Sequence, residues 1–492
     1  MGRNANNKLD RNKPADGFYS KKLKHAERRQ YEVKPRGHKC SQLYGRCMIP
    51  INQLENELVL RTINHDGESI EHQMIILKKL VVGESCETLR RQREFTQCLL
   101  DCLLEHHGTI YQGIFYGSSV NGLGLVDSDI DLRLRPLKLL SMTEMEPYRL
   151  EPGAVDEILR NIAFQTARCC FAKGIFVASS RCPITSLTFY CGHRFKPETL
   201  KESWSYDISL TTSPFSAVNS IYLRSLCRME PKFHHLAIVL KYWSKVHGVV
   251  SKGLLSSYAL INMLIFFCQN LEVPLLPTVN EMRHEYLRIN DSRIREDQEK
   301  LGLMETNAPK PLEPAITKSE WQCLFDIDSP ELSSKNREPM CILLLKFFEF
   351  YLKFPYAKNI LSTNTGNIIS SEEFPKTSLW NNNFKLKPFL NIQDPFDLSH
   401  NLTSGMTGRH LMLMLHTMRC SYERLASEIE RNFMPPAREK KVGAMETPEP
   451  SDGHRSRKLS SESSSGHGSS RNWGLSVIFE PLTGKDKELF LA

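Results

Sequence analysis

Several absences narrow the sequence before any motif is read. The 14 cysteines of the 492-residue chain include no CxxC pair and no Cys/His spacing suited to zinc, which argues against a zinc site. Scattered thiols of this kind are expected to be reduced and mostly buried, as in a cytoplasmic or nuclear protein. No apolar h-region opens the chain, so no secretory leader is expected, and "MGRNAN" lacks the Ser or Thr that myristoylation requires. The longest apolar run, "YALINMLIFFC" (258–268), is too short to cross a bilayer and contains Asn262. It reads as a buried helix, and no membrane association is expected. No internal repeat is visible.

Apolar residues make up 40% and charged residues 24% of the chain, ordinary values for a globular protein. The net charge of +8 is uneven, because residues 1–46 hold 13 Lys or Arg against 4 Asp or Glu. Residues 1–47 therefore read as a basic, disordered tail, either solvated or in contact with nucleic acid. Helical periodicity runs over 70–107. Short strand-like runs follow ("YQGIFYG", "SDIDLRL", "GIFVAS", "PITSLTFY", "SYDISL"), with a helix over 155–172 among them. The pattern predicts an α/β or α+β sheet domain over 90–212. From 213 to 430 it turns helical, ending in a helix near 407–430. A low-complexity tail, 431–492, has nine Ser within 451–470. Its last piece, "NWGLSVIFEPL", is apolar enough to dock or to add a strand.

The stretch "GSSVNGLGLVDSDIDLRLR" (117–135) carries the chemistry. Side chains on a strand alternate faces, so Asp129 and Asp131 share one face, about 7 Å apart, while Ile130 and Leu132 turn inward. Two carboxylates so placed repel unless a cation lies between them, and Mg²⁺ is held by such groups together with substrate phosphates. Upstream, Gly117, Ser118 and Ser119 offer N–H groups and hydroxyls to phosphate oxygens. By itself an Asp-x-Asp is also common in capped loops.

Gly-Ser, ten residues, then Asp-Ile-Asp-Leu resembles the signature of the polymerase-β-like nucleotidyltransferase superfamily. The longer string "FYGSSVNGLGLVDSDIDL" resembles its RNA-tailing branch, the cytoplasmic poly(A)/poly(U) polymerases and terminal uridylyltransferases. The resemblance implies a two-lobed fold. A mixed-sheet catalytic domain would face a helical central domain built from 48–89 and 213–430, with the active site in the cleft. It makes Asp207, in "SYDISL", a third carboxylate, and implies that Asp129, Asp131 and Asp207 hold two Mg²⁺ or Mn²⁺ ions. Asn219 in "AVNSIYL" would bond the ribose, with Ser220 beside it. Lys241 and Lys245 in "LKYWSKVHG", read from spacing alone as one helical face, would clamp the triphosphate. In "GLLSSYAL", Ser257 would touch the triphosphate and Tyr258 would stack on the base.

The stretch "IQDPFDLSHNL" (392–402) resembles the family's nucleotide-recognition loop. His400 would select uracil by donating to O4 and crowding adenine, with Asp394 and Asp397 completing the pocket. The activity implied is template-independent transfer of UMP from UTP to RNA 3′ ends; an ATP-using polymerase and an inactive RNA-binding scaffold are the alternatives. The segments 286–335 and 355–391 are longer and more polar than the resemblance predicts. No zinc finger, RNA-recognition motif or second nucleotidyltransferase unit is apparent, so RNA choice would fall to the core, the basic tails or protein partners.

Overall fold

The structure, a computed structural model, describes residues 31–33, 56–82, parts of 93–104, 110–126, 128–139, 145–147, 150, 152–169, 172–178, 183–190, 203–210, 215–251, 255–286, 288–289, 332–374, 384–433 and 473–482. Most of the two tails expected to be disordered, and residues 290–331, lie outside the described residues. The protein is α+β and divides into two compact units. One holds residues up to 54, 81–234 and 276–333; the other holds 55–80, 235–275 and 334–492.

In chain order the first unit contains β1 (Tyr31–Val33), β2 (Ile110–Tyr116), β3 (Ile130–Leu139), β4 (Met145–Pro147), α3 (Pro152–Cys169), β5 (Ala172–Val177), β6 (Ile184–Tyr190), β7 (Ser203–Ser209) and α4 (Phe215–Met229). Helices α1 (Asn56–Asp66) and α2 (Ile70–Val81) fall between β1 and β2 in the chain and are assigned, all but Val81, to the second unit. The seven strands form one mixed sheet of order β1-β5-β6-β7-β3-β2, with β4 also on β3. Only β3 and β7 run parallel; β2 and β6 flank them antiparallel.

Alternation decides which face of the sheet is dry. Ile130, Leu132 and Leu134 of β3 and Tyr206 and Ile208 of β7 are buried together with Leu159 and Ile162 of α3. The Thr185 hydroxyl donates to the Leu159 carbonyl at 2.5 Å, tying sheet to helix inside that core. Residues of opposite parity on β3 and β7, which include Asp131 and Asp207, take the other face. One strand arises inside the segment read as a disordered basic tail: Tyr31–Val33 pairs antiparallel with β5, Tyr31 opposite Phe176. The β5 edge offers unpaired backbone groups, and Tyr and Val suit a strand.

The second unit continues with α5 (Pro231–Val246, whose first four residues group with the sheet), α6 (Ser257–Gln269), α7 (Met340–Lys353), β8 (Asn359–Ser362), β9 (Asn367–Ser370), β10 (Asn391–Gln393) and α8 (Gly408–Phe433). Helix α6 is the apolar run noted above and is buried from Ala259 to Gln269. Ser256 caps it, accepting from the Ala259 N–H at 3.0 Å. Its polar residues are paired: Asn262 accepts from the Thr363 hydroxyl at 3.1 Å, and Gln269 donates to the Thr363 carbonyl at 3.1 Å. The Tyr351 hydroxyl of α7 donates to the Met263 carbonyl, and Trp243 of α5 donates to Ser421 of α8. In the Met-rich start of α8, Met414 and Met418 are core residues while Met412 is exposed. No described helix is long and apolar enough to cross a membrane.

Three differences from the sequence reading concern boundaries. Helix α4 belongs with the sheet rather than with the helical domain expected from residue 213. The segment 355–391 contains a 3-10 turn (Tyr356–Lys358) and the β8–β9 hairpin, hidden in sequence by its polar turn Thr363–Gly366. The low-complexity tail expected over 431–492 includes a buried 3-10 helix, Gly474–Phe479, inside the piece read as apolar enough to dock. Six residues are too few to show a periodicity.

Candidate active site

In the sheet unit the carboxylates are placed by strand register. Asp131 and Asp207 are direct neighbours on the parallel pair β3–β7, with Ile130 opposite Tyr206 and Leu132 opposite Ile208. Neighbouring strands lie about 4.8 Å apart, so two acidic side chains emerge side by side on the undried face. Asp129 stands one residue before β3 and is partly buried. Among the described residues, no group of three or more His, Cys, Asp or Glu stands ready to hold a metal. The three aspartates are thus brought to one end of one face, with Asp131 and Asp207 in register, rather than closed into a finished cluster. As a donor set they are hard anionic oxygens, which fit Mg²⁺ or Mn²⁺ and not a soft metal.

The Gly-Ser turn is built against these carboxylates. Gly117 has φ +66°, a conformation that favours glycine, and a Cβ there would lie 2.0 Å from Oδ2 of Asp131. Glycine therefore keeps the Asp131 carboxylate in place as well as making the turn. A single helical turn follows, Ser118–Asn121, whose first N–H groups have no acceptor within it. The Gly117 N–H is already used: it donates to the Ser220 hydroxyl of α4 at 2.7 Å. Ser220, expected beside the ribose, instead braces the turn. Its neighbour Asn219 has a buried side-chain oxygen with no hydrogen-bond partner among the described residues, which leaves that atom for a ligand. The link to Asp129 is held too, as His234 Nε2 lies 2.7 Å from the Gly122 carbonyl and the Leu125 N–H donates to the Ser128 hydroxyl.

The helical unit places the remaining predicted residues. Lys241 and Lys245 lie one turn apart on α5; Lys241 is buried, 8% exposed, whereas Lys245 is exposed. Burial of its surroundings pulls the Lys245 ammonium below the usual lysine range. Ser257 and Tyr258 form the first turn of α6, and the Tyr258 carbonyl accepts from the Asn262 amide at 2.9 Å.

The loop after β10 is closed by backbone pairs, with the Asp394 N–H donating to the His400 carbonyl (2.9 Å) and the Leu402 N–H to the Ile392 carbonyl (2.8 Å), and is shaped within by side chains bonding to backbone. Asp394 is buried, and its Oδ1 accepts from the N–H groups of Phe396 (3.0 Å) and Asp397 (3.1 Å). Its other oxygen lies 3.5 Å from His400 Nδ1. Asp397 accepts from the Ser399 hydroxyl at 2.6 Å, and the His400 N–H donates to the Asp397 carbonyl at 2.7 Å. Asp394 and Asp397, expected in the pocket, thus spend oxygens on shaping the turn that carries His400.

Residues that sequence reasoning missed hold the base of this loop. Asn401 accepts from the Ile392 N–H, the Thr403 N–H and the Thr403 hydroxyl, and donates to the Lys385 carbonyl and the Asn391 side chain. Asn391 in turn bonds Lys387 and Phe389, and Gln393 joins Ser362 to the Leu398 carbonyl. The available signal was two asparagines ten residues apart around Asp-Pro-Phe, which resembles ordinary turn composition.

A family model described as Cid1 family poly A polymerase matches residues 316–400, a stretch that ends on His400. A solved structure of mtPAP in complex with UTP shares the fold, with TM-score 0.58 and 18% identity, over 88% of this chain and 77% of that one. Over residues 316–400 the chain is therefore similar to the Cid1 family poly A polymerases, and its fold is that of the solved mtPAP structure. A GTP-bound structure of the Cid1 poly(U) polymerase also aligns, at TM-score 0.50 and 19% identity, covering 72% of this chain and 94% of that one. Among curated relatives, the speckle targeted PIP5K1A-regulated poly(A) polymerase of Mus musculus is 30% identical over 205 residues. That match covers 41% of this chain and 20% of the relative. Poly(A) RNA polymerase GLD2-A of Xenopus laevis is 25% identical over 286 residues, 57% of this chain and 46% of that one. The chain spans less than half the length of these two relatives.

Proposed function

We propose that the protein adds nucleotides to RNA 3′ ends without a template, taking them from nucleoside triphosphates and preferring UTP. The observation that carries the transferase reading is the registered pair Asp131–Asp207 beside the Gly117 turn. The naming of the relatives as poly(A) and poly(U) polymerases supports RNA as the acceptor.

In this reading Asp129, Asp131 and Asp207 would hold divalent metal, whose positive charge would acidify the RNA 3′ hydroxyl and offset charge on the departing pyrophosphate. The chain's own residues orient the reactants. The Ser118 and Ser119 N–H groups and the Ser118 hydroxyl bind phosphate oxygens, the Ser119 hydroxyl being spent on the Tyr116 carbonyl, and the Lys241 and Lys245 ammonium groups neutralise the β- and γ-phosphates as charge moves onto them. Asn219 holds the ribose through its unpaired oxygen, and Tyr258 gives the base a flat apolar surface. His400 selects the base: its ring donates to O4 of uracil, and a base without a matching group leaves it unpaired.

Offering UTP, ATP, CTP and GTP singly with an oligo(A) RNA and divalent metal tests the proposal. Transfer of UMP is expected to dominate. A second reading, transfer of AMP, is favoured by the curated relatives being named poly(A) polymerases. ATP incorporation equal to or above UTP would establish it and remove the role given to His400.

A further inference from the structure

We propose that residues 473–482 act as a peptide ligand of the helical unit, bound in cis in a groove formed by α1, α2, α5 and α8, and that this docking positions the end of α5 bearing Lys245. The second half rests on the function proposed for Lys245; the first does not.

Four hydrophobic residues fill the groove. Leu475 and Ile478 are wholly buried, with Val477 and Phe479 nearly so, and the Phe479 ring meets Tyr242 of α5 edge-on at 5.0 Å. The peptide backbone is read by receptor side chains, as in peptide recognition rather than in the packing of a regular element. The Gly474 N–H donates to Glu428 of α8 at 3.0 Å and the Leu475 N–H to Gln73 of α2 at 2.5 Å. The Ile478 carbonyl lies 2.7 Å from His247 Nε2, and the Glu480 carbonyl accepts from Arg424 at 2.8 Å. At the leading end the Trp473 indole donates to the Asn64 carbonyl of α1 at 3.1 Å. Ser476 bonds the Trp473 backbone and closes the peptide's own turn.

The fit is demanding at one point. Gly474 has φ +62°, and a Cβ there would lie 2.4 Å from Gln73 Oε1. The ligand chemistry is thus a short apolar 3-10 peptide opening with Trp-Gly. Two of its contacts, Tyr242 and His247, bracket Lys245 on the chain, so the docked segment holds the last turn of α5 from one side.

The test uses the full chain with a specific protease site inserted within 440–465. After cleavage, the fragment containing 473–482 is expected to co-elute with the body on gel filtration. In the Gly474→Val and Ile478→Asp variants it should elute separately, and a synthetic peptide of residues 472–484 should rebind the stripped body. Loss of the fragment is expected to raise the KM for the nucleoside triphosphate about tenfold with kcat changed less than threefold, and the peptide should restore KM. A wild-type fragment that separates on cleavage, or a peptide that does not rebind, overturns the docking. A KM unmoved by stripping overturns the positioning. A chain that tails no RNA before cleavage overturns the proposed function instead, while co-elution still decides the docking.

Discussion

The acidic face of the sheet and the loop that ends at His400 are made specific by opposite means. On the sheet, backbone pairing does the placing: β3 and β7 lie parallel, and Asp131 and Asp207 emerge together because Ile130 pairs with Tyr206 and Leu132 with Ile208 on the buried side. In the loop, backbone pairing is limited to a single bridge at Gln393–Asn401 and the bonds flanking it, and side-chain amides and carboxylates bond the remaining backbone groups one by one. A strand pair resists substitution of any exposed residue, since its geometry comes from buried neighbours. A loop knitted by side chains loses its shape when one amide is lost. The teaching is that transfer chemistry should be robust in position and brittle in charge, whereas base choice should be brittle in position.

The largest effect should come from charge. Asp131→Asn or Asp207→Asn is expected to lower nucleotidyl transfer at least about 10³-fold, with the melting temperature unchanged or slightly raised by the relief of like-charge repulsion. A stopped tailing assay beside thermal melting checks both, and retained activity would remove these aspartates from the chemistry. Next is Asn401→Ala, which strands several buried partners and should cost about 3 kcal/mol of stability while collapsing base preference. Urea titration and the four-nucleotide assay read the two losses; stability lost with base preference intact would break the contrast drawn here.

His400→Asn should then shift the UTP-to-ATP ratio by about 10–100-fold with no change in melting temperature. Ser220→Ala removes the acceptor of the Gly117 N–H, costs about 1 kcal/mol, and should lower kcat without altering base preference. The smallest effect is a pH dependence, to which two buried groups of the helical unit contribute. Burial pushes the Cys341 thiol up to about 12, aided by Glu71, and burial likewise raises the Tyr242 hydroxyl to about 12. Both stay protonated in the fold at a pH where the unfolded chain would ionise. Their contribution is therefore complete below the unfolded values of 9.0 and 10.0 and lost as pH rises toward about 12. Melting temperature is expected to fall across that window, starting later in Cys341→Ala.

Much of this contrast was legible in the sequence, for a physical reason. Asp129, Asp131 and Asp207 sit in or beside strands whose alternation of apolar and polar residues announces their face. The buried helix 257–269 is announced by its long apolar run, interrupted only by Asn262. The bracing residues give no such sign. Asn391, Asn401 and Thr403 look like any turn formers until the chain closes on itself, and Ser220 looks like a helix residue with nothing to bond. Tyr31–Val33 and Gly474–Phe479 are too short for a period, and each is ordered by partners far along the chain.

That last separation has a consequence for synthesis. Gln73 and Leu475, joined by a hydrogen bond, are 402 residues apart. At the 5–20 residues per second of a translating ribosome, helix α2 emerges roughly 20–80 s before the segment that fills the groove beside it. The groove is complete only once α8 has emerged, about 2–8 s before that segment, and for that interval the nascent chain displays it with no occupant of its own. Residues 473–482 then close it, so a chain stalled between α8 and residue 473 stays open to chaperones where one carried past residue 482 does not.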